Sequence, residues 1–181
     1  MPVFMRIFLL VMGLHLQGAP AGAQTAGGDK GSGLPIPRYV SLKSDRVNVR
    51  KGPGFDYPIA WTYQRAGLPV EVLKEFENWR QVRDSDGTEG WVLQNLLSGR
   101  RTALIAPWEA QVTGSATAKP LATMLHQEAS ETSSVVAMIE PGVLATVLSC
   151  DKTWCRVSIA EQRGYITQSK LWGVYKDEPV Q

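Results

Sequence analysis

Hydrophobic and polar residues alternate along this chain in short bursts, not at helical spacing. Val47-Asn48-Val49-Arg50 puts two valines on one face and two polar residues on the other, the period-two pattern of a half-buried strand. Gly52-Pro53-Gly54 ends that run, because glycine allows tight geometry and proline cannot donate to a ladder. The same pattern predicts strands at Ile59–Tyr63, Leu68–Phe76, Trp79–Arg83, Gly90–Leu93 and Thr102–Ile105. In the longest, Val70 and Val72 alternate before Leu73 shifts the parity. Asp84-Ser85-Asp86-Gly87 reads as a turn, and Gln94-Asn95-Leu96 as a single helical turn. Nothing reads as a long amphipathic helix. The implied class is all-β, with strands short enough to close a small barrel that hides its edges.

Sliding the chain along itself by 75 residues shows a repeat. Gly67 meets Gly142, Val72-Leu73 meets Val147-Leu148, and Trp79 meets Trp154. After one deletion in a turn, Gly90 meets Gly164 and Leu97 meets Leu171. The module is therefore present twice. On this register Arg50, Gly52 and Pro53 align with Leu125, Gln127 and Glu128, and Lys51 with His126. Phe55, Tyr57 and Trp61 then fall on Ser130, Thr132 and Val136.

Two further segments lie outside that pattern. Arg6, the apolar run Ile7–Leu16 and the small residues Ala21-Gly22-Ala23 make residues 1–23 a secretory signal peptide, too short in its apolar core to span a membrane. Residues 24–38 are rich in Gly, Ser and Pro and are expected to be a disordered tether. Charge is nearly balanced, with 19 Lys+Arg against 17 Asp+Glu, and no basic strip is concentrated enough for nucleic acid. Arg100-Arg101 reads as a solvated strand edge.

Val47–Gly54, together with Gly90-Trp91-Val92-Leu93-Gln94-Asn95-Leu96-Leu97, resembles the opening and closing segments of the bacterial Src-homology-3 (SH3b) family. The resemblance covers about Tyr39 to Tyr175 and implies two tandem SH3-like β-barrels. The expected boundaries are 39–105 for the first barrel, 106–118 for a linker and 119–176 for a second, divergent barrel. Members of this family are commonly cell-wall or protein-binding modules, often attached to peptidoglycan hydrolases.

Aromatics supply the candidate binding residues. Trp79 is expected on the face opposite Val82, beside the loop that holds Phe55 and Tyr57. There it either joins an exposed cluster with Arg50, Phe55, Tyr57 and Trp61, or packs beneath the Gly-Pro-Gly loop as a satellite core. Trp91 is expected in the core. Cys150 and Cys155 bracket a four-residue loop, so in a hairpin they face each other at disulfide spacing; Glu75 and Arg80 take their places in the first copy. Once the signal has left, His126 is the one remaining histidine, with no free thiol to act beside it. Asp84-x-Asp86-Gly87 lacks the rest of a calcium loop, and no other metal or cofactor set is legible. The expectation is an exported, periplasmic, non-catalytic module that recognises peptidoglycan peptide or glycan. The alternative is an adaptor or regulator of another envelope protein.

Overall fold

The computed structural model describes residues 31–110 and 121–181. The expected signal peptide, residues 24–30 of the tether and residues 111–118 of the expected linker lie outside the described residues. The first module comprises β1 (Arg38–Leu42), β2 (Val47–Arg50), β3 (Ile59–Tyr63), β4 (Pro69–Phe76), β5 (Trp79–Arg83), β6 (Glu89–Leu93) and β7 (Leu97–Ser98). A 3-10 turn at Gln94–Leu96 leads into β7. The second comprises β8 (Thr102–Ile105), β9 (Thr123–His126), β10 (Val135–Ile139), β11 (Leu144–Cys150), β12 (Trp154–Ile159), β13 (Gln162–Thr167) and β14 (Leu171–Trp172). Each module is one seven-stranded antiparallel sheet, ordered β3-β2-β6-β5-β4-β1-β7 and β10-β9-β13-β12-β11-β8-β14.

The two orders are the same path through the same fold, and this moves a boundary. Thr102–Ile105, expected as the last strand of the first barrel, is hydrogen-bonded to β11 and β14 and opens the second module. Its counterpart is β1, which pairs with β4 and β7. The connection between modules is therefore residues 99–101, and the expected linker 106–118 falls within the second module, between its first two strands. Sequence alone misplaced β8 because a four-residue apolar strand carries no mark of which sheet it joins. The second module also runs past residue 176, since Val180 exchanges both backbone hydrogen bonds with Cys150.

The core of the first module is a valine cluster, Val47, Val49, Val70, Val72, Val82 and Val92, closed by Leu42. Each of these strands contributes its inward positions, as the period-two pattern requires. Val92 takes the core position on β6, and Trp91 is half-buried outside that cluster, contrary to expectation. Leu125, Ile139, Val147, Val157 and Ile166 do the same work in the second. The parity shift at Leu73 is a β-bulge, with the β4–β5 register slipping between Val72 and Lys74 and the β11–β12 register between Val147 and Ser149. Gly67 and Gly142 both sit at φ +78°, where an L side chain is strained, and explain why those positions repeat.

The expected tether is ordered near its end. Ser32 donates from its hydroxyl to Glu75 Oε1 at 2.7 Å, and Arg38 reaches the same oxygen at 2.6 Å. The modules also touch. Tyr175 donates to Glu71 Oε1 at 2.8 Å, Tyr39 packs against Trp172 and Tyr175 with ring centroids 5.3 and 4.7 Å apart, and Thr102 donates to the Gly67 carbonyl at 2.7 Å. Arg101 is an ion-pair partner of Glu178 at 2.8 Å, not a solvated edge residue.

Candidate functional site

The loop between β2 and β3 builds the site in each module. In the first, Lys51 N–H donates to the Pro58 carbonyl and closes the loop at its base. Arg50 then bonds the carbonyls of Phe55 and Tyr57 at 3.0 and 2.6 Å, which fixes the loop's tip from beneath. Gly52 is required there, because a Cβ would fall 2.3 Å from the Tyr57 ring. Phe55 lies edge-to-face on Trp79 at 5.2 Å and carries the Arg50 guanidinium 5.4 Å from its ring centre.

Trp79 is 6 % exposed, so of the two sequence readings the satellite core describes its place. It lies outside the valine cluster, on the far face of β5, with Phe55 as its cover. Trp61 is half-buried and packs against the core. Phe55 and Tyr57 are 69 % and 47 % exposed. The structure thus divides the five sequence candidates. Phe55 and Tyr57 present surface, whereas Arg50, Trp61 and Trp79 support it.

Strand register corrects the alignment of the two loops. Arg50 pairs with Ile59 and His126 with Val135, while Gln127 N–H donates to the Ser134 carbonyl as Lys51 does to Pro58. The offset here is therefore 76 residues, one more than the β4 to β5 repeat suggests. Arg50 corresponds to His126, Phe55 to Glu131, Tyr57 to Ser133 and Trp61 to Ala137. His126 holds the post of Arg50, its Nδ1 lying 3.4 Å from the Ser133 carbonyl, and its ring meets Trp154 edge-on at 5.5 Å.

That exchange leaves an opening which sequence reasoning missed. Trp154 has no phenylalanine over it and is half-buried, facing a cavity of about 480 Å³ whose walls include Thr123, Met124, His126, Glu131, Met138 and Lys170. A neighbouring hollow of about 580 Å³ shares Glu131 and Thr167 with it. The missed signal was the one-residue deletion between β10 and β11, where four residues replace the five between β3 and β4. Once counted, it places Glu131 where Phe55 stands.

Cys150 and Cys155 are bonded, with Cα atoms 4.1 Å apart, as the hairpin spacing predicted. Glu75 and Arg80 form the expected ion pair at 3.1 Å. Burial alone would raise the Glu75 pKa. Hydrogen bonds from Ser32 and Arg38 and the charge of Arg80 outweigh that and hold it at about 2. Asp84 accepts from the N–H groups of Asp86 and Thr88 as a turn residue, and its other oxygen accepts from Tyr63 at 2.9 Å. Among the described residues, no group of three His, Cys, Asp or Glu is placed to hold a metal ion.

Comparison with known proteins agrees with the architecture. The bacterial SH3 domain model matches residues 43–99 and 119–173, one segment in each module. Over 126 residues the chain is 25% identical to YrvJ of Bacillus subtilis (strain 168), a protein that carries the name of an N-acetylmuramoyl-L-alanine amidase. That match covers 70% of this chain and only 24% of the relative's length. Similar solved structures include NlpC1 and NlpC2 of Trichomonas vaginalis, at 16% and 14% identity with TM-scores of 0.32 each. Those matches cover 80% and 79% of this chain and 48% and 49% of theirs. An NlpC/P60 family protein from Bacillus cereus ATCC 10987 matches at 11% identity and TM-score 0.31, over 76% of this chain and 57% of that one. With both modules matched over more than half of its length, the chain belongs to the bacterial SH3 domain family.

Proposed function

We propose that this protein is a non-catalytic, periplasmic binding protein that recognises the peptide or glycan of peptidoglycan. The observation that carries the reading is the face made by Phe55 and Tyr57. Two large aromatics stand exposed on a loop that Arg50 and Trp79 hold rigid, so binding need not order them. The name carried by the Bacillus subtilis relative supports a cell-wall ligand, since N-acetylmuramoyl-L-alanine is a cell-wall linkage. A binding role also suits the chemistry of the described residues. Both cysteines are bonded to each other, and His126 is occupied with the Ser133 carbonyl and the Trp154 ring.

Co-sedimentation with purified sacculi tests the proposal. The wild-type protein should pellet with sacculi, Phe55→Ala with Tyr57→Ala should shift it to the supernatant, and no soluble cell-wall fragments should be released. Release of fragments that stops in His126→Ala would refute the non-catalytic part. A second reading, an adaptor of another envelope protein, is favoured by the contacts that join the modules through Tyr175 and Glu71. An adaptor would stay in the supernatant and co-purify with a protein instead.

A further inference from the structure

The second module holds a groove that nothing in the first module's aromatic face explains. Half-buried Trp154 lines it, with the His126 ring against the indole at 5.5 Å, and Met124 and Met138, 49 % and 56 % exposed, stand along it. Glu131 projects from the loop where Phe55 projects in the first module, so a carboxylate replaces the ring that would have closed the site. Thr123 lines the same groove, is 7 % exposed, and its Oγ1 has no hydrogen-bond partner among the described residues.

We propose that this groove binds a primary ammonium carried on an aliphatic stem, as on a lysine-like side chain of a peptide. An indole face beside a carboxylate attracts a cation twice, through the ring quadrupole and through charge. Thioether side chains are soft, adaptable partners for a methylene stem and poor ones for a hydroxyl-covered sugar. The first module supplies an internal analogy. There Trp79 carries an apolar group, Phe55, with a cation, Arg50, stacked on it, all from the same chain. In the second module His126 takes the place of Arg50 and Glu131 that of Phe55, so the loop offers a counter-charge where the first module has a phenylalanine. Lys170 also borders the groove but is already engaged by an interaction of its own, so the charge offered to a ligand is that of Glu131.

The site lies on different residues from the Phe55–Tyr57 face and does not depend on it. The test follows the Trp154 indole N–H signal by NMR in the full chain, assigned by its disappearance in Trp154→Phe, during titration with Nα-acetyl-lysine N-methylamide. The expected result is a saturable shift at least tenfold tighter than with the norleucine analogue, which lacks the amine. Glu131→Gln should abolish that preference and Glu131→Asp should keep part of it. Equal binding of the lysine and norleucine probes, an unchanged preference in Glu131→Gln, or no saturable shift would each overturn the proposal. Sacculus retention is scored separately. Retention without a probe response sinks this site alone, and a probe response without retention sinks the cell-wall reading alone.

Discussion

Glu75 and Arg80 face each other across the β4–β5 hairpin, carboxylate oxygen to Nε 3.1 Å, at the register positions that Cys150 and Cys155 occupy in β11–β12. One hairpin is closed by an ion pair and the other by a covalent bond. The Glu75 carboxylate sits below its ordinary value of 4.5, at about 2, so its ionised form is favoured by folding. The stabilisation is fully present above about pH 4.5 and is lost as pH falls through about 2. Thermal melts of wild type and Glu75→Gln should therefore differ most at pH 5 and above and converge towards pH 2. A gap that stays constant across that range would contradict this account of the pair.

Reduction should weaken only the second hairpin. Loop-entropy reasoning for so short a ring assigns the bond about 2 kcal/mol. Hydrogen exchange after mild reduction should speed up in β11 and β12 and leave β4 and β5 unchanged. Equal acceleration in both hairpins would mean that the disulfide supports the whole chain.

Trp79 is a support, so its removal should show in stability first. Truncating a buried large aromatic costs about 3–5 kcal/mol, and Trp79→Ala should also free Phe55 from its edge-to-face seat. Denaturant midpoints measure the loss. A Trp79→Ala variant as stable as wild type would show that the indole is not a packing element.

The contact between modules should be measurable at one hydroxyl. Tyr175 donates to Glu71, a buried carboxylate that also pairs with Arg83. Burial, then the bond and charge of Glu71, push the Tyr175 phenol well above its usual range, so it stays a donor at any ordinary pH. A hydrogen bond to a charged group is worth about 1.5–3 kcal/mol. Tyr175→Phe should lower the first unfolding midpoint and make the modules melt more independently in calorimetry. A single, unshifted transition would contradict the coupling.

Much of this fold was legible because inward valines alternate with polar residues, and because repeated glycines do the same job twice. Gly90 and Gly164 are examples, where a Cβ would fall 2.3 Å from Val49 and 2.5 Å from the His126 carbonyl. The all-β class, the two modules, the bulges and the disulfide follow from such local signals. The membership of β8 did not, because Thr102–Ile105 finds its partners some 40 to 70 residues away. The groove was hidden for a different reason. A single-residue offset between the loops decides whether Phe55 is matched by Ser130 or by Glu131, and only strand register resolves it.

The central claim is that this chain binds the cell wall without cutting it. The most direct measurement is co-sedimentation of the full protein with purified sacculi, with the supernatant analysed for released muropeptides. The account predicts saturable pelleting, at least tenfold weaker when Phe55 and Tyr57 are both alanine and the fold is intact, with no released fragments. Protein that remains in the supernatant at every sacculus concentration, or fragments that accumulate with time, would contradict it.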